Sequence, residues 1–400
     1  MPLLLVTITG HDKPGLTSSI MEVLGNYEAG LLDIGQAVIH KALNLGVLVS
    51  IKENESQLRQ DLHRLGIELG LEISLASVTE GDYADWVGLQ GQGRIILTLL
   101  ARRISAIQIA RISSIVFVHG LNIDTISRLS GRVSLNNRSD TGKACIEFSL
   151  KGSPLDIGAF RSELMSVSNE MDVDIAVQED NLFRRNRRLA VFDMDSTLID
   201  TEVIDELAIK AGVGKEVMEI THSAMMGEID FKESLRRRVR AISGLEEKVL
   251  AEIAANLPLM EGAEHLFGTL KKLGYKTAIL SGGFTYFAQS LQKRLGIDYV
   301  YANELEISDG RLTGGVIEPI VDADRKAELV QFLADKENIS LQQVVAVGDG
   351  ANDLAMLATA GMGIAFHAKP VVKQQAGHAI SKMGLDSILY LMGIRDRDAE

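Results

Sequence analysis

Leu189-Ala190-Val191-Phe192-Asp193-Met194-Asp195-Ser196-Thr197 is a run of four apolar residues that passes straight into an acid-bearing turn. Apolar residues without alternation suit a strand buried on both faces, the habit of parallel sheets covered by helices. Residues two apart on an extended backbone point the same way, so Asp193 and Asp195 present both carboxylates to one site. An acid pair after a single strand is common in turns and decides nothing by itself. Lys276–Leu280 and Val344–Val347 repeat the pattern, each ending in a polar turn that contains glycine. Strands of this kind alternating with helices predict an α/β domain over residues 189–400 with a doubly wound parallel sheet, whose chemistry gathers at the carboxyl ends of the strands. Between the first two of these strands, about residues 204–260, there is no strand-like run, and the stretch reads as an inserted helical cap.

The ends of the other two strands carry polar motifs. Ser281-Gly282-Gly283 offers a hydroxyl and accessible backbone amides, with glycine allowing close approach to phosphoryl oxygens. Gly348-Asp349-Gly350-Ala351-Asn352-Asp353 delivers two more carboxylates, hard oxygen ligands of the kind a divalent cation takes. Lys326, in Asp324-Arg325-Lys326-Ala327, supplies a fixed positive charge. A carboxylate attacks phosphorus only where repulsion with the phosphate dianion is relieved, which a cation and a lysine together would do. Further along, Glu202 offers an anion for an ammonium group, and Arg238 offers a planar fork for a carboxylate. A ligand with both charges and a phosphate is a phosphorylated amino acid.

In this order the motifs resemble the haloacid dehalogenase superfamily of phosphohydrolases. The resemblance implies Asp193 as nucleophile and Asp195 as general acid and base, with Mg²⁺ held by Asp193, Asp349, Asp353 and the backbone carbonyl of Asp195. The cap segments Thr221–Phe231 and Ser234–Val239 sharpen the likeness, over about residues 189–388, to the phosphoserine phosphatase family within it. That likeness implies phosphoserine as substrate, hydrolysed in the last step of serine biosynthesis. Glu202 would take its amino group and Arg238 its carboxylate, Met225 and Phe231 would line the cap side, and Ser281, Gly282, Lys326 and Asn352 would hold the phosphate. Another phosphorylated metabolite, or transfer to another alcohol, stays open. An amino-acid-binding regulator with a dead phosphatase half is disfavoured, since no member of the catalytic set is missing.

The front half repeats a βαββαβ order, first over residues 1–80 and again over 93–178, which predicts two ferredoxin-like domains. They resemble ACT domains, modules that sense amino acids. Thr9-Gly10-His11-Asp12-Lys13-Pro14-Gly15-Leu16 fits that family's first strand-to-helix loop, where Asp12, Gly15 and Leu16 would meet an effector, serine by implication. The matching loop of the second repeat, Leu100–Ser105, lacks the Asp-x-Pro-Gly pattern. Dimerisation through these sheets, giving a homodimer without any effector, is the other reading. Residues 179–188, ending in Arg184-Arg185-Asn186-Arg187-Arg188, read as a solvated linker.

The whole chain, 400 residues with 46% hydrophobic and 24% charged, suits several globular domains and contains no apolar stretch long enough for a membrane helix. A net charge of −13 disfavours nucleic-acid partners. One cysteine, Cys145, excludes an internal disulfide framework, and the expected setting is cytoplasmic.

Overall fold

The computed structural model describes residues 1–91, 93–132 and 142–399, apart from the side chains of Met225 and Ala399. Its described residues form two compact units, Met1–Gln92 and Gly93–Glu400. No described helix is long and apolar enough to cross a membrane.

The first unit runs β1 (Leu3–His11), α1 (Leu16–Asn26), β2 (Gly30–Ile39), β3 (Ala42–Ser50), α2 (Glu55–Leu69) and β4 (Leu71–Val78), with an antiparallel sheet ordered β2-β3-β1-β4. Leu4, Val6 and Ile8 alternate inward from β1 to meet Ile20 of α1 and Leu58 and Leu62 of α2. An unanticipated α3 (Glu80–Gly88) follows, its first turn capped by Thr79, whose Oγ1 accepts from Asp82 N at 3.0 Å. Every residue of the edge strand β2 is exposed, Leu31, Ile34 and Val38 among them.

The second unit opens with the second repeat: β5 (Arg94–Ala101), α4 (Ala106–Val118), β6 (Asn122–Arg128), β7 (Ala144–Lys151), α5 (Ile157–Met171) and β8 (Asp174–Glu179), in the sheet order β6-β7-β5-β8. It continues through β9 (Leu189–Phe192) into four helices, α6 (Val203–Ala211), α7 (Gly214–Met225), α8 (Phe231–Ala241) and α9 (Lys248–Ala255), which form the expected insertion. The chain returns through α10 (Ala263–Lys272), β10 (Lys276–Phe284), α11 (Thr285–Leu295), β11 (Tyr299–Ser308), β12 (Arg311–Ile317), α12 (Ala323–Lys336) and β13 (Val344–Gly348). It closes with α13 (Leu354–Thr359), β14 (Met362–Phe366), α14 (Pro370–Gln375), β15 (His378–Ile380), α15 (Ile388–Leu391) and α16 (Asp396–Ala399).

The sheet order is β12-β11-β10-β9-β13-β14-β15, parallel except for the edge hairpin of β11 and β12. Leu189 and Val191 pack under α12, whereas Ala190 and Phe192 face the core shared with α10, α11 and the cap. Burial on both faces explains the uninterrupted apolar run. Phe192 pairs with Ile279 of β10 and Val347 of β13, so the central strand and its neighbours end at one level.

Residues 179–188 are not the solvated junction that their basic composition predicts. Arg184 is 1% exposed and ion-paired with Glu147 of β7, and Arg187 donates from Nη1 to the Gln342 carbonyl at 2.6 Å. Their acceptors lie far away in sequence, so the run itself carries no sign that these side chains point inward. Asp174 on β8 accepts from the Ser381 and Lys382 amides at 2.8 and 2.9 Å, and Gln178 donates to the Leu391 carbonyl at 3.0 Å. Arg102, in the strand-to-helix loop of the second repeat, grips Glu261 with two bonds of 2.8 and 2.6 Å. The second repeat is thus bonded to the domain that follows it, though its sheet is a separate one.

Breaking a buried ion pair from one side leaves the other charge uncompensated. Glu147→Gln is therefore expected to cost about 3–5 kcal/mol in urea denaturation, with Glu147→Leu combined with Arg184→Met recovering most of the loss.

Candidate functional site

Because β9, β10 and β13 end level, one step beyond Phe192, two beyond Ile279 and two beyond Val347 bring Asp193, Ser281 and Asp349 to one place. Asp193 is 5% exposed; its amide donates to the Val347 carbonyl at 2.9 Å, and its Oδ1 accepts from Met194 N at 2.7 Å. Lys326, in the first turn of α12, is wholly buried and bridges Asp193 Oδ2 at 2.8 Å and Asp353 Oδ1 at 2.7 Å. Burial opposes its charge, but the two carboxylates outweigh burial and raise its pKa above the ordinary lysine value. Asp353 Oδ2 accepts from the Asp349 and Gly350 amides at 3.1 and 3.0 Å, which fixes the loop after β13. Half-buried Asn352 belongs to that loop, its Oδ1 close over Gly350.

Ser281-Gly282-Gly283 is not the turn that its composition predicts. The motif lies within β10, where the register against β11 slips between Leu280 and Phe284. The Ser281 Oγ accepts from Gly283 N at 2.9 Å. A side chain at Gly283 would collide with Asp195 Oδ2 and Met194 Cε, so only glycine lets β10 approach the acid. Gly282 lies against the Phe231 ring at the start of α8, and its carbonyl accepts from Asn303 Nδ2 at 2.8 Å.

Asp195 accepts from Val203 N through Oδ1 at 3.0 Å. Burial first, then the charges of Glu202 and Asp193, hold its carboxyl well above the usual range, which favours the protonated form. Ser196 sits in the left-handed region at φ 55 and donates from Oγ to Glu202 Oε1 at 2.7 Å. Glu202 stands at the open mouth of the site, yet the atoms around its carboxylate raise its pKa despite that bond. Arg238 of α8 is half-buried, with its pKa lowered by burial against the pull of Glu202, Asp205 and Asp195. Its Nε–H is enclosed and has no partner among the described residues. An enclosed, unbonded donor costs about 1–3 kcal/mol, a loss that an incoming acceptor recovers. The cap is tied to the core where Lys232 meets Asp322, the cap residue of α12, at 2.9 Å.

The structure therefore brings together Asp193, Asp195, Glu202, Phe231, Arg238, Ser281, Gly282, Lys326, Asp349, Asn352 and Asp353; the Met225 side chain lies outside the described residues. Asp12, Gly15 and Leu16 lie in the first unit, at the junction of β1 and α1. Unassigned in the sequence were Ser196, Gly283, Asn303 and the role of Thr197, whose Oγ1 donates to Asp349 Oδ1 at 3.0 Å. Thr197 and Gly283 stand inside quoted motifs. Asn303 is fully buried and joins β10 to the segment before α12, donating to the Gly282 carbonyl and accepting from Val321 N at 2.8 Å, and its sequence context carries no signal.

Asp193, Asp349 and Asp353 each offer a carboxylate oxygen within 4.8 Å of the others. Burial, Asp193 and Asp353 push Asp349 up to about 8; burial and Asp193 push Asp353 to about 6 despite Lys326. One ammonium does not balance three clustered carboxylates, and all their ligand atoms are hard oxygens. This is the donor set of a divalent cation.

Residues 188–361 match the haloacid dehalogenase-like hydrolases, and residues 2–76 match the ACT domain. The chain is 40% identical to a phosphoserine phosphatase of Streptomyces coelicolor over 100% of its own length and 94% of that protein. It is 38% identical to a phosphoserine phosphatase of Mycobacterium tuberculosis over 99% of its length and 94% of that protein. Among solved structures, a haloacid dehalogenase family hydrolase of Salmonella enterica serovar Typhi superposes with a TM-score of 0.65 at 31% identity, covering 75% of this chain and 98% of that one.

An unfolded aspartate titrates near 3.9. From about pH 4 to about pH 8 the folded cluster keeps protons that the unfolded chain has released, so stability falls as pH rises through that window. A bound cation replaces those protons. Scanning calorimetry is expected to show a melting temperature that declines across this window without metal, and a rise on adding millimolar MgCl2 that is largest at its upper end.

Proposed function

We propose that this site hydrolyses phosphoserine through a phosphoryl group carried on Asp193, since the chain belongs to the phosphoserine phosphatase family of haloacid dehalogenase-like hydrolases. Its activity is that of a phosphoric monoester hydrolase. Asp193 attacks phosphorus as the bond from phosphorus to the serine oxygen breaks, and the Asp195 proton passes to that oxygen. Asp195, now ionised, removes a proton from water as the water oxygen attacks the aspartyl-phosphate, releasing phosphate and restoring the Asp193 carboxylate. The raised pKa of Asp195 supports its starting this sequence as the acid.

Mg²⁺, held by Asp193, Asp349, Asp353 and the Asp195 carbonyl, would neutralise charge on the phosphoryl oxygens. Lys326 shares that work as a fixed ammonium, with Ser281, Gly282 and Asn352 as partners for the oxygens. Thr197 keeps the Asp349 carboxylate turned toward the cluster.

The observation that carries the substrate is the enclosed, unpartnered Arg238 Nε–H, standing within electrostatic reach of Glu202. Arg238 takes the substrate carboxylate and Glu202 its ammonium, while Phe231, packed on Gly282, closes the apolar side with Met225. Arg238→Ala should lower kcat/KM for phosphoserine roughly 100-fold or more, the scale of a lost buried charge pair, and leave 4-nitrophenyl phosphate within about threefold. Equal losses on both esters overturn the substrate assignment, and Asp193→Asn should turn over neither.

For the first repeat, serine is the proposed effector at Asp12, Gly15 and Leu16. Gly15 adopts φ 91 at the cap of α1, which aims free helix amides at the loop and supports carboxylate binding there. The exposed strand β2 supports a homodimer, since an apolar edge calls for a second strand. The single buried cysteine, Cys145, suits a cytoplasmic setting. Serine should inhibit turnover in the parent, and Asp12→Ala should abolish that inhibition without changing the uninhibited rate; sedimentation velocity checks the dimer.

A further inference from the structure

Away from the phosphoryl site, within the second unit, a cavity of ≈ 510 Å³ lies between the second repeat and the C-terminal helices; its walls include Lys143, Asp386, Leu389, Ile394, Arg395 and Asp396. Asp386 is 5% exposed. Its Oδ2 takes the Lys143 ammonium and faces His265 Nδ1 at 3.1 Å, but its Oδ1 has no partner among the described residues. Asp396 is satisfied, with Oδ1 accepting from the Tyr390 hydroxyl at 2.6 Å and Oδ2 from Gly131 N at 2.5 Å. The half-buried Arg395 guanidinium has neither an ion pair nor a hydrogen bond among the described residues.

The cavity thus lacks a donor at one point and an acceptor at another. Its fixed charges balance, Lys143 and Arg395 against Asp386 and Asp396, so a phosphate dianion would face two carboxylates and a simple cation two basic groups. A neutral molecule with separated charges meets both needs, and Leu389 and Ile394 wall the remainder with hydrocarbon. We propose that this cavity binds a small zwitterionic α-amino acid, its ammonium on the Asp386 carboxylate, its carboxylate on Arg395 and a short aliphatic side chain against Leu389 and Ile394. None of these residues belongs to the Asp12–Leu16 loop.

The cavity reaches the reaction through one short piece of chain. Gly262 lines it; Glu261 is gripped by Arg102 and accepts from Leu385 N at 2.7 Å; Met260 N donates to the Leu198 carbonyl at 2.9 Å, just beyond the nucleophile loop. A ligand seated on Asp386 therefore stiffens the segment that positions Asp193 and Asp195.

Isothermal titration of the full chain with L-alanine, which cannot be turned over, tests this without reference to catalysis. Saturable binding is expected in the parent, weakened roughly tenfold or more in both Arg395→Met and Asp386→Asn, with propionate and ethylammonium binding to neither variant nor parent. Arg395→Met should keep the parent's phosphoserine turnover in the absence of alanine, which shows that it is folded. No saturable L-alanine binding in the parent, or binding unchanged in both variants, overturns the proposal.

Discussion

A single buried ammonium stands among three carboxylates, and most of the second unit is arranged around that imbalance. Lys326 reaches two of them from the first turn of α12, the amides of Asp349 and Gly350 hold the other oxygen of Asp353, and Thr197 donates to the third, Asp349. Such crowding is unfavourable for folding, since burial and mutual repulsion push Asp349 and Asp353 up toward neutrality. The parallel strands supply what tolerates it: three level C-terminal ends, backed on both faces by apolar packing that does not depend on the charges. Three clustered carboxylates against one ammonium leave a negative site whose hard oxygens suit a divalent cation.

The unlike surroundings of Asp195 and Asp193, two residues apart, follow from the same geometry. Asp193 is ion-paired with Lys326, whereas Asp195 accepts from the Val203 amide and is raised by burial and the charges of Glu202 and Asp193, against a weaker pull from Lys326. Neighbouring acids in one loop thereby stand in opposite electrostatic surroundings, set by burial and by their partners.

The candidate set was legible because the proposed chemistry calls for particular residue types around strand ends: Asp193, Asp195, Asp349 and Asp353 follow β9 and β13, Ser281 lies late in β10, and Lys326 stands in the first turn of α12. The βαββαβ repeats were legible from periodicity. What stayed hidden depends on contacts distant in sequence. Arg184 and Arg187 look like surface charges until Glu147 and the Gln342 carbonyl are found beside them. Asn303 is an ordinary strand residue whose value lies in joining Gly282 of β10 to Val321 ahead of α12. The antiparallel hairpin of β11 and β12 lacks the buried apolar run that marked the central strands, since its residues alternate toward solvent. The corresponding loops of the two repeats have parted company too: one keeps the Asp12–Gly15 pattern, while the other gives Arg102 to Glu261.

That divergence bears on how such a chain can be assembled and dismantled over evolutionary time. A deletion that removes residues 1–92 takes away a body with its own core and leaves the remaining one whole. A breakpoint between β8 and β9 is different, because it strands the Arg184 guanidinium, the amides of Ser381 and Lys382 and the Leu391 carbonyl, all of which the second repeat satisfies. The front module is open to loss, exchange or duplication as a unit, whereas the second has become inheritable only together with the enzyme it abuts.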